Sequence, residues 1–106
     1  MKLRVDTSGV QFTVTRAAEE KRDQNGAHKA DRKTGELLFT VQLMALDETG
    51  GEMINVTVAG QLPKVTVGQN VRLVELEAIP WATNGRNGTA FRARAIEPIA
   101  SASKAA

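Results

Sequence analysis

Apolar residues recur at every second position along much of the chain. Residues 10–15 alternate strictly between apolar and polar side chains, and the same spacing runs through residues 37–46, the longest apolar stretch. A period of two is typical of strands that bury one face. Both segments are therefore predicted to be strands, and residues 2–5 are predicted to form a short edge strand.

Turn residues separate the later strands. Residues 47–51 contain two glycines and predict a turn into a strand over residues 53–58, so that the pair forms a hairpin. Residues 59–68 contain too many glycines and prolines for a helix of ordinary length. A further strand is predicted over residues 71–78. Its alternation changes phase near Leu73 and Val74, which indicates a β-bulge.

Pro80 and Trp81 are predicted to end that strand. Two Asn-Gly pairs then occupy residues 84–88 and give a strong hairpin signal. The last predicted strand covers residues 89–96, with its apolar residues on one face and two arginines on the other. Residues 99–106 are predicted to be a disordered tail.

Residues 17–35 break the pattern, because they are rich in charge and offer almost nothing to a core. We predict a long mobile loop here, since loops of this length are functional or disordered more often than structural. Its five cations could fold over a bound strand, although a solvated flexible loop is the simpler expectation. His28, the only histidine, is predicted to be a solvated loop residue.

Five strands without a helix predict an all-β domain spanning residues 1–98. A bent, bulged strand favours closure into a barrel. Among small barrels, the long first and last connections describe a five-stranded OB-type barrel. An SH3-like small barrel is the rival architecture, and the alternation does not separate the two.

Composition indicates the cellular compartment in which this domain is expected. The chain has 106 residues, no cysteine and a formal net charge of +2. The lack of cysteine fits a reducing cytoplasm. The first ten residues lack the apolar segment of a secretory signal, and no apolar run approaches the ~20 residues of a membrane helix. We therefore expect a cytoplasmic protein without a membrane partner.

Catalytic groups are scarce. His28 has no predicted partner, and Glu75 and Glu77 are expected to form a solvated charged face beside Arg72 rather than an acid–base pair. No phosphate-binding or calcium-binding motif occurs, and carboxylates with one histidine do not make a metal-ligand set. The sequence predicts a protein that is not an enzyme and that carries no cofactor or metal.

A candidate binding surface combines one large aromatic ring with basic residues on and around the last predicted hairpin. Its members are Trp81, Arg86, Arg92, Arg94, Arg72 and Lys64. Cations that follow phosphates and a ring that stacks on bases suit single-stranded nucleic acid. The opposite interpretation is a solvated face whose arginines are neutralised by Glu75, Glu77 and Glu97, with Trp81 closing one end of the barrel.

A second hypothesis places a protein partner at the apolar ends of the second face of the strand predicted over residues 37–46. Leu38, Met44 and Leu46 would then contact a replication initiator or a transcription factor, or form the seam of a homodimer. The two hypotheses differ in which exposed chemistry, basic or apolar, makes the contact.

Several short segments resemble a known family. They are residues 33–36, 43–47, 55–58, 67–73 and 78–81, followed by residues 84–88 and 91–93. Together they resemble the small regulatory proteins of actinobacterial integrative and conjugative elements, which include the Pra-type activators of plasmid replication. The Pro-Trp, Asn-Gly-Arg and Phe-Arg-Ala block is the most specific part. The resemblance implies a role in replication, excision or transfer of a mobile element, and it supplies no catalytic residue.

The strands also resemble single-stranded-DNA-binding proteins more loosely. The N-terminal strand motif of the housekeeping protein is missing, and the chain ends Ser-Lys-Ala-Ala instead of in an acidic tip with a terminal phenylalanine. The expectation is therefore a specialised DNA-binding accessory protein of a mobile element, with single-stranded DNA as its partner.

Overall fold

The computed structural model describes residues 2–99, and these residues form an all-β structure. The eight strands are β1 (Leu3–Arg4), β2 (Gln11–Glu20), β3 (Leu38–Asp47), β4 (Gly50–Ala59), β5 (Asn70–Val74), β6 (Glu77–Thr83), β7 (Arg86–Arg92) and β8 (Ala95–Pro98). Within this described part of the chain, no helix is long and apolar enough to cross a membrane. Of the tail predicted over residues 99–106, all but Ile99 lies outside the described residues.

All eight strands belong to one curled sheet, in the order β1-β6-β7-β4-β3-β2-β5-β8. Strands β2, β3 and β4 are antiparallel neighbours, and β5 returns through residues 60–69 to pair with β2. A fourth strand lying beside the first is the Greek-key arrangement. The remaining hairpin joins the sheet through β7, which runs parallel to β4.

Two short breaks turn the five predicted strands into seven, and the predicted edge strand, β1, is the eighth. Glu75 and Leu76 separate β5 from β6, and Glu75 has a φ of 52°. Ala93 and Arg94 likewise separate β7 from β8. The irregularity predicted near Leu73 and Val74 is therefore real, but it lies at Glu75 and is a break between strands.

The core lies inside the curl and is built from the alternating apolar positions. Val14, Val41, Leu43, Val56 and Val71 are almost completely buried. Each comes from a strand with period-two alternation, so the sequence pattern correctly identified these strands and their buried faces. Phe91 and Ala18 pack at the margin of this cluster.

The predicted hairpin of β3 and β4 is confirmed, with ten registered pairs from Leu38↔Ala59 to Asp47↔Gly50. Asp47 organises its turn by accepting hydrogen bonds from the amide and the hydroxyl of Thr49, at 2.8 and 2.6 Å. These hydrogen bonds stabilise the carboxylate and lower the pKa of Asp47.

Strand β2 extends further than predicted, because residues 17–20 belong to it rather than to a loop. Its pairing with β3 shifts register between Val14 and Arg16, and again between Arg16 and Glu19. Each shift is a bulge that displaces the alternation, so the apolar pattern ends at Val14 although the strand continues.

Residues 21–37, which we call the arm, are folded by backbone hydrogen bonds. Isolated bridges join Arg22 to His28 and Ala30 to Leu37. His28 is not the solvated residue that was predicted: its side chain is 18% exposed, and its ring packs edge-on against Phe39 with centroids 5.0 Å apart. Its Nε2 also lies 2.8 Å from the carbonyl oxygen of Leu38.

The hairpin of β6 and β7 also corrects one prediction. Pro80 and Trp81 lie inside β6 and do not end a strand. The predicted turn is confirmed at Asn84 and Gly85, whose φ values of 53° and 79° suit the tight type I′ turn that Asn-Gly favours. The last predicted strand is β7 followed by β8.

Candidate functional site

An open groove of about 630 Å³ crosses the outer face of the sheet. We call it the outer groove. One wall is the end of β2 with the start of the arm, the floor is β3 and β4, and the other wall is the β6–β7 hairpin. Its lining residues include Arg16, Lys21, Thr40, Met53, Asn55 and Trp81.

The floor follows from strand alternation. Val41 and Val56 point into the core, so their neighbours Thr40, Asn55 and Thr57 face outward. Thr40 and Thr57 are directly opposite one another in the register of β3 and β4. This part of the floor is therefore polar, in contrast to the apolar interior beneath it, and Met53 and Ile54 add apolar surface further along β4.

Trp81 forms part of the hairpin wall. It pairs with Gly88 across β6 and β7. A Cβ placed on Gly88 would lie 2.7 Å from Cζ2 of the indole, which shows that the ring rests directly on the glycine backbone. The side chain is 45% exposed. The glycine thus supports the indole while almost half of the side chain remains open to solvent.

Lys21 lies in the opposite wall. Its Nζ donates a hydrogen bond of 2.9 Å to the Thr57 hydroxyl, and Thr57 is only 8% exposed. Burial lowers the pKa of Lys21, and the positive charges of Lys29 and Arg92 lower it further. Among the ion pairs of residues 2–99, none involves Lys21.

Arg92 lies at the base of the hairpin and pairs with the arm. Its Nη2 donates to Oδ2 of Asp31 at 2.5 Å. This hydrogen bond, aided by the amides of Lys33 and Thr34, lowers the pKa of Asp31 to about 2. The Asp31 side chain is 9% exposed.

The predicted basic surface is divided rather than continuous. Arg72 pairs with Glu97, and Arg94 pairs with Glu75, with 3.2 Å between Nε and Oε2. Both pairs are solvent-exposed, where such interactions contribute about 0–1 kcal/mol. Two of the three acids proposed as neutralising partners, Glu75 and Glu97, have this role.

The remaining predicted residues occupy different places. Arg86 begins β7 next to the hairpin turn, in register with Thr83. Lys64 lies in the β4–β5 connection and shares a separate groove with Arg94. Of the six residues predicted to form one surface, only Trp81 lines the outer groove. Arg92 is linked to it because Arg92 is in register with Thr57.

Sequence reasoning missed Arg16 and Lys21 as groove residues. Both follow the first bulge of β2, where the apolar alternation had already stopped. Arg16 falls between the predicted strand and the predicted loop, and Lys21 falls within that loop. Met53 and Asn55 were recognised only as the polar-facing alternates of β4. No local pattern indicated that these four would meet Trp81.

The apolar surface of the second hypothesis is partly retained. Leu38 is buried and cannot contact a partner, which corrects that part of the hypothesis. Met44 is half-buried and lies opposite Met53 in the register, while Leu46 and Met53 are each 46% exposed. The exposed apolar surface is therefore a small patch near the tip of the β3–β4 hairpin.

No protein-family model and no curated protein matches the chain. Among solved structures, the chain is similar to the small single-stranded DNA-binding protein from Streptomyces coelicolor, with 15% sequence identity and a TM-score of 0.43 over 96% of each chain. Similarity at this level establishes neither a common fold nor a common function. The resemblance to mobile-element regulators has no counterpart in these comparisons and stays a prediction.

Within residues 2–99, no cluster of three or more histidine, aspartate or glutamate side chains is arranged to hold a metal ion. The outer groove offers two aromatic residues (Trp81 and the partly buried Phe91), two basic side chains, two acids (Glu19 and Glu52), a thioether, aliphatic side chains and neutral hydrogen-bonding groups. These groups are suited to binding an extended ligand by stacking and charge.

Proposed function

We propose that the protein binds single-stranded DNA in the outer groove, without catalysis. The observation that carries this proposal is the exposed indole of Trp81, supported by Gly88 and facing a groove whose far wall holds Arg16 and Lys21. Stacking on an aromatic ring and cation contacts with the backbone are the two recurring terms in single-strand binding.

The proposed scaffold is an OB-type barrel. When β5 and β6 are read as one bent strand, and β7 and β8 as another, they complete a five-stranded path with β2, β3 and β4. The bent β5–β6 strand reaches β2 at one end and β7 at the other. A five-stranded Greek-key barrel of this kind matches the OB type. Strand β1 is an addition at the edge.

The charge of the groove sets the expected strength of binding. Glu19 and Glu52 line it together with Arg16 and Lys21, so its charges nearly balance. The whole chain carries only +2. Few phosphates can be neutralised, and the affinity should therefore depend weakly on salt, with stacking as the main term.

Intrinsic fluorescence tests the proposal directly, because Trp81 is the only tryptophan. Titration with a single-stranded oligonucleotide at low salt should quench its emission, in step with the fluorescence anisotropy of a labelled oligonucleotide. Duplex DNA and single-stranded RNA serve as competitors. The absence of both signals at low salt would disprove the proposal.

A protein partner remains a second candidate function, favoured by the adjacent exposed side chains of Leu46 and Met53. The occupant would be a replication or transfer protein, or a second copy of this chain. Sedimentation of the wild type and of Leu46→Ser tests the dimer. Pull-down from a host that carries the related mobile element tests the heterologous partner.

The biological setting that we propose is cytoplasmic and accessory: regulation of the replication or transfer of a mobile element. Support comes from the sequence segments described above and from the proposed DNA groove. Deleting the gene from such an element should change its copy number or transfer frequency. Trp81→Ala should reproduce that change if DNA binding is the cause.

A further inference from the structure

Asp31 uses its two carboxylate oxygens for two different purposes. Oδ1 accepts hydrogen bonds from the amides of Lys33 and Thr34, at 2.7 and 3.1 Å, and shapes the turn of the arm. Oδ2 accepts from Nη2 of Arg92. The turn would need only the first oxygen, so the second makes a separate link between the arm and β7.

Arg92 and Lys21 both neighbour Thr57 of the groove floor, Arg92 by strand register and Lys21 by a hydrogen bond. Arg92 is in register with Thr57 across β7 and β4, and the Thr57 hydroxyl accepts the hydrogen bond from Lys21 Nζ. Lys29 is joined to Lys21 through its backbone amide, at 2.7 Å from the Lys21 carbonyl oxygen. Within this group of cations, the Asp31 carboxylate is paired with Arg92.

We propose that Lys21, Thr57 and Arg92 form a subsite for one phosphate of the bound strand, and that the Asp31 carboxylate occupies it in the free protein as a built-in competitor. This inference rests on the proposed function. A guanidinium binds carboxylate and phosphate oxygens in the same way, so one oxyanion can replace the other. A phosphate entering the subsite must displace Asp31, which lowers the affinity for DNA.

The inference predicts opposite changes in two properties when Asp31 becomes Asn. The amide oxygen can still accept from Lys33 and Thr34, so the turn is preserved, but the ion pair with Arg92 is weakened. The free protein should therefore unfold at a lower temperature. Its affinity for a single-stranded oligonucleotide should nevertheless rise, roughly two- to fivefold. Its salt dependence should steepen by up to about 0.7, because the bound phosphate no longer shares Arg92 with a carboxylate.

Asp23 provides a matched control. It lies in the same arm, and its Oδ1 caps a turn by accepting from the amides of Asn25 and Ala27, at 2.9 and 3.0 Å. Asp23 takes part in none of the ion pairs of the described residues. Asp23→Asn removes the same charge from the arm, so any difference between the two variants reports the position of Asp31.

The outcomes separate the two proposals. A wild type that binds no single-stranded DNA at low salt disproves the proposed function. If the wild type binds and Asp31→Asn binds no tighter than Asp23→Asn, the subsite inference is wrong. Should Asp31→Asn fail to fold, Asp31→Ser is the second variant, because its hydroxyl can also accept the turn hydrogen bonds. Arg92→Ala should then weaken binding more in the Asp31 variant than in the wild type.

Discussion

The two walls of the outer groove are built by different means. The β6–β7 hairpin is an antiparallel ladder with seven registered pairs and a tight Asn-Gly turn. The arm has only two isolated bridges. It is held by turns capped by aspartates, by the packing of His28 on Phe39 and by the ion pair of Asp31 with Arg92.

This difference assigns different roles to the two walls. The hairpin presents a rigidly supported ring and therefore supplies the stacking term. The arm presents the ammonium group of Lys21, which is bonded to the Thr57 hydroxyl and to no acid within residues 2–99, and therefore supplies the electrostatic term. Stacking onto a base is worth about 1–3 kcal/mol, whereas an exposed ion pair contributes about 0–1 kcal/mol. Changes in the hairpin should affect binding more than changes in the arm.

Trp81→Ala should cause the largest loss of affinity for single-stranded DNA. Without the ring, affinity for single-stranded DNA should fall roughly tenfold to a hundredfold, corresponding to about 1–3 kcal/mol. Stability should change little, because the residue is 45% exposed and lies outside the buried core. The anisotropy of a labelled oligonucleotide measures the loss. Trp81→Phe, the matched control, should retain part of the affinity, and equal loss in both variants would contradict a stacking role.

Gly88→Val should cause the second-largest loss of affinity for single-stranded DNA. A side chain at this position would meet the indole at 2.7 Å and push it away from the hairpin backbone. We expect a loss of affinity that approaches that of Trp81→Ala, with a shift in tryptophan emission in the free protein. Asn87→Val, one residue earlier in β7 and outside the groove lining, leaves the ring in place and is the control. An unchanged affinity in Gly88→Val would show that ring position is unimportant.

Lys21→Ala tests the arm wall. Removing one cation should weaken binding about two- to fivefold and reduce the salt slope by about 0.7. Binding measured at several salt concentrations gives both values. Lys64→Ala removes the same charge outside the outer groove and should change neither. If both variants behave alike, the effect is one of net charge and not of position.

The smallest effect concerns the pH dependence of stability. The pKa of Asp31 is about 2 in the folded protein, below its ordinary value of 3.8. Its stabilising contribution should therefore be complete above pH ~4 and should be lost as the pH falls from 3.8 to 2. The difference in unfolding midpoint between the wild type and Asp31→Asn should shrink over that range. A difference that stays constant down to pH 2 would contradict the ion pair.

The local sequence pattern predicts most of the strands and the hairpin turn in one wall of the outer groove. Alternation identified the buried faces of β3 and β4, and the Asn-Gly pair identified the turn of the hairpin. Both signals are carried by adjacent residues, so they can be read without knowing the neighbours in space. The same reasoning failed in β2, where bulges moved Arg16 and Lys21 out of the visible alternation.

The amino-acid sequence by itself determined an all-β chain and most of its core positions, because each depends on residues one or two positions apart. The exposure of Trp81, which the sequence left open, was decided by the structure. Only the tertiary structure decided which charges meet. Arg92 and Asp31 are 61 residues apart, and Lys21 and Thr57 are 36 apart. Such contacts depend on strand order, on register and on the path of the arm, and no spacing along the chain encodes them.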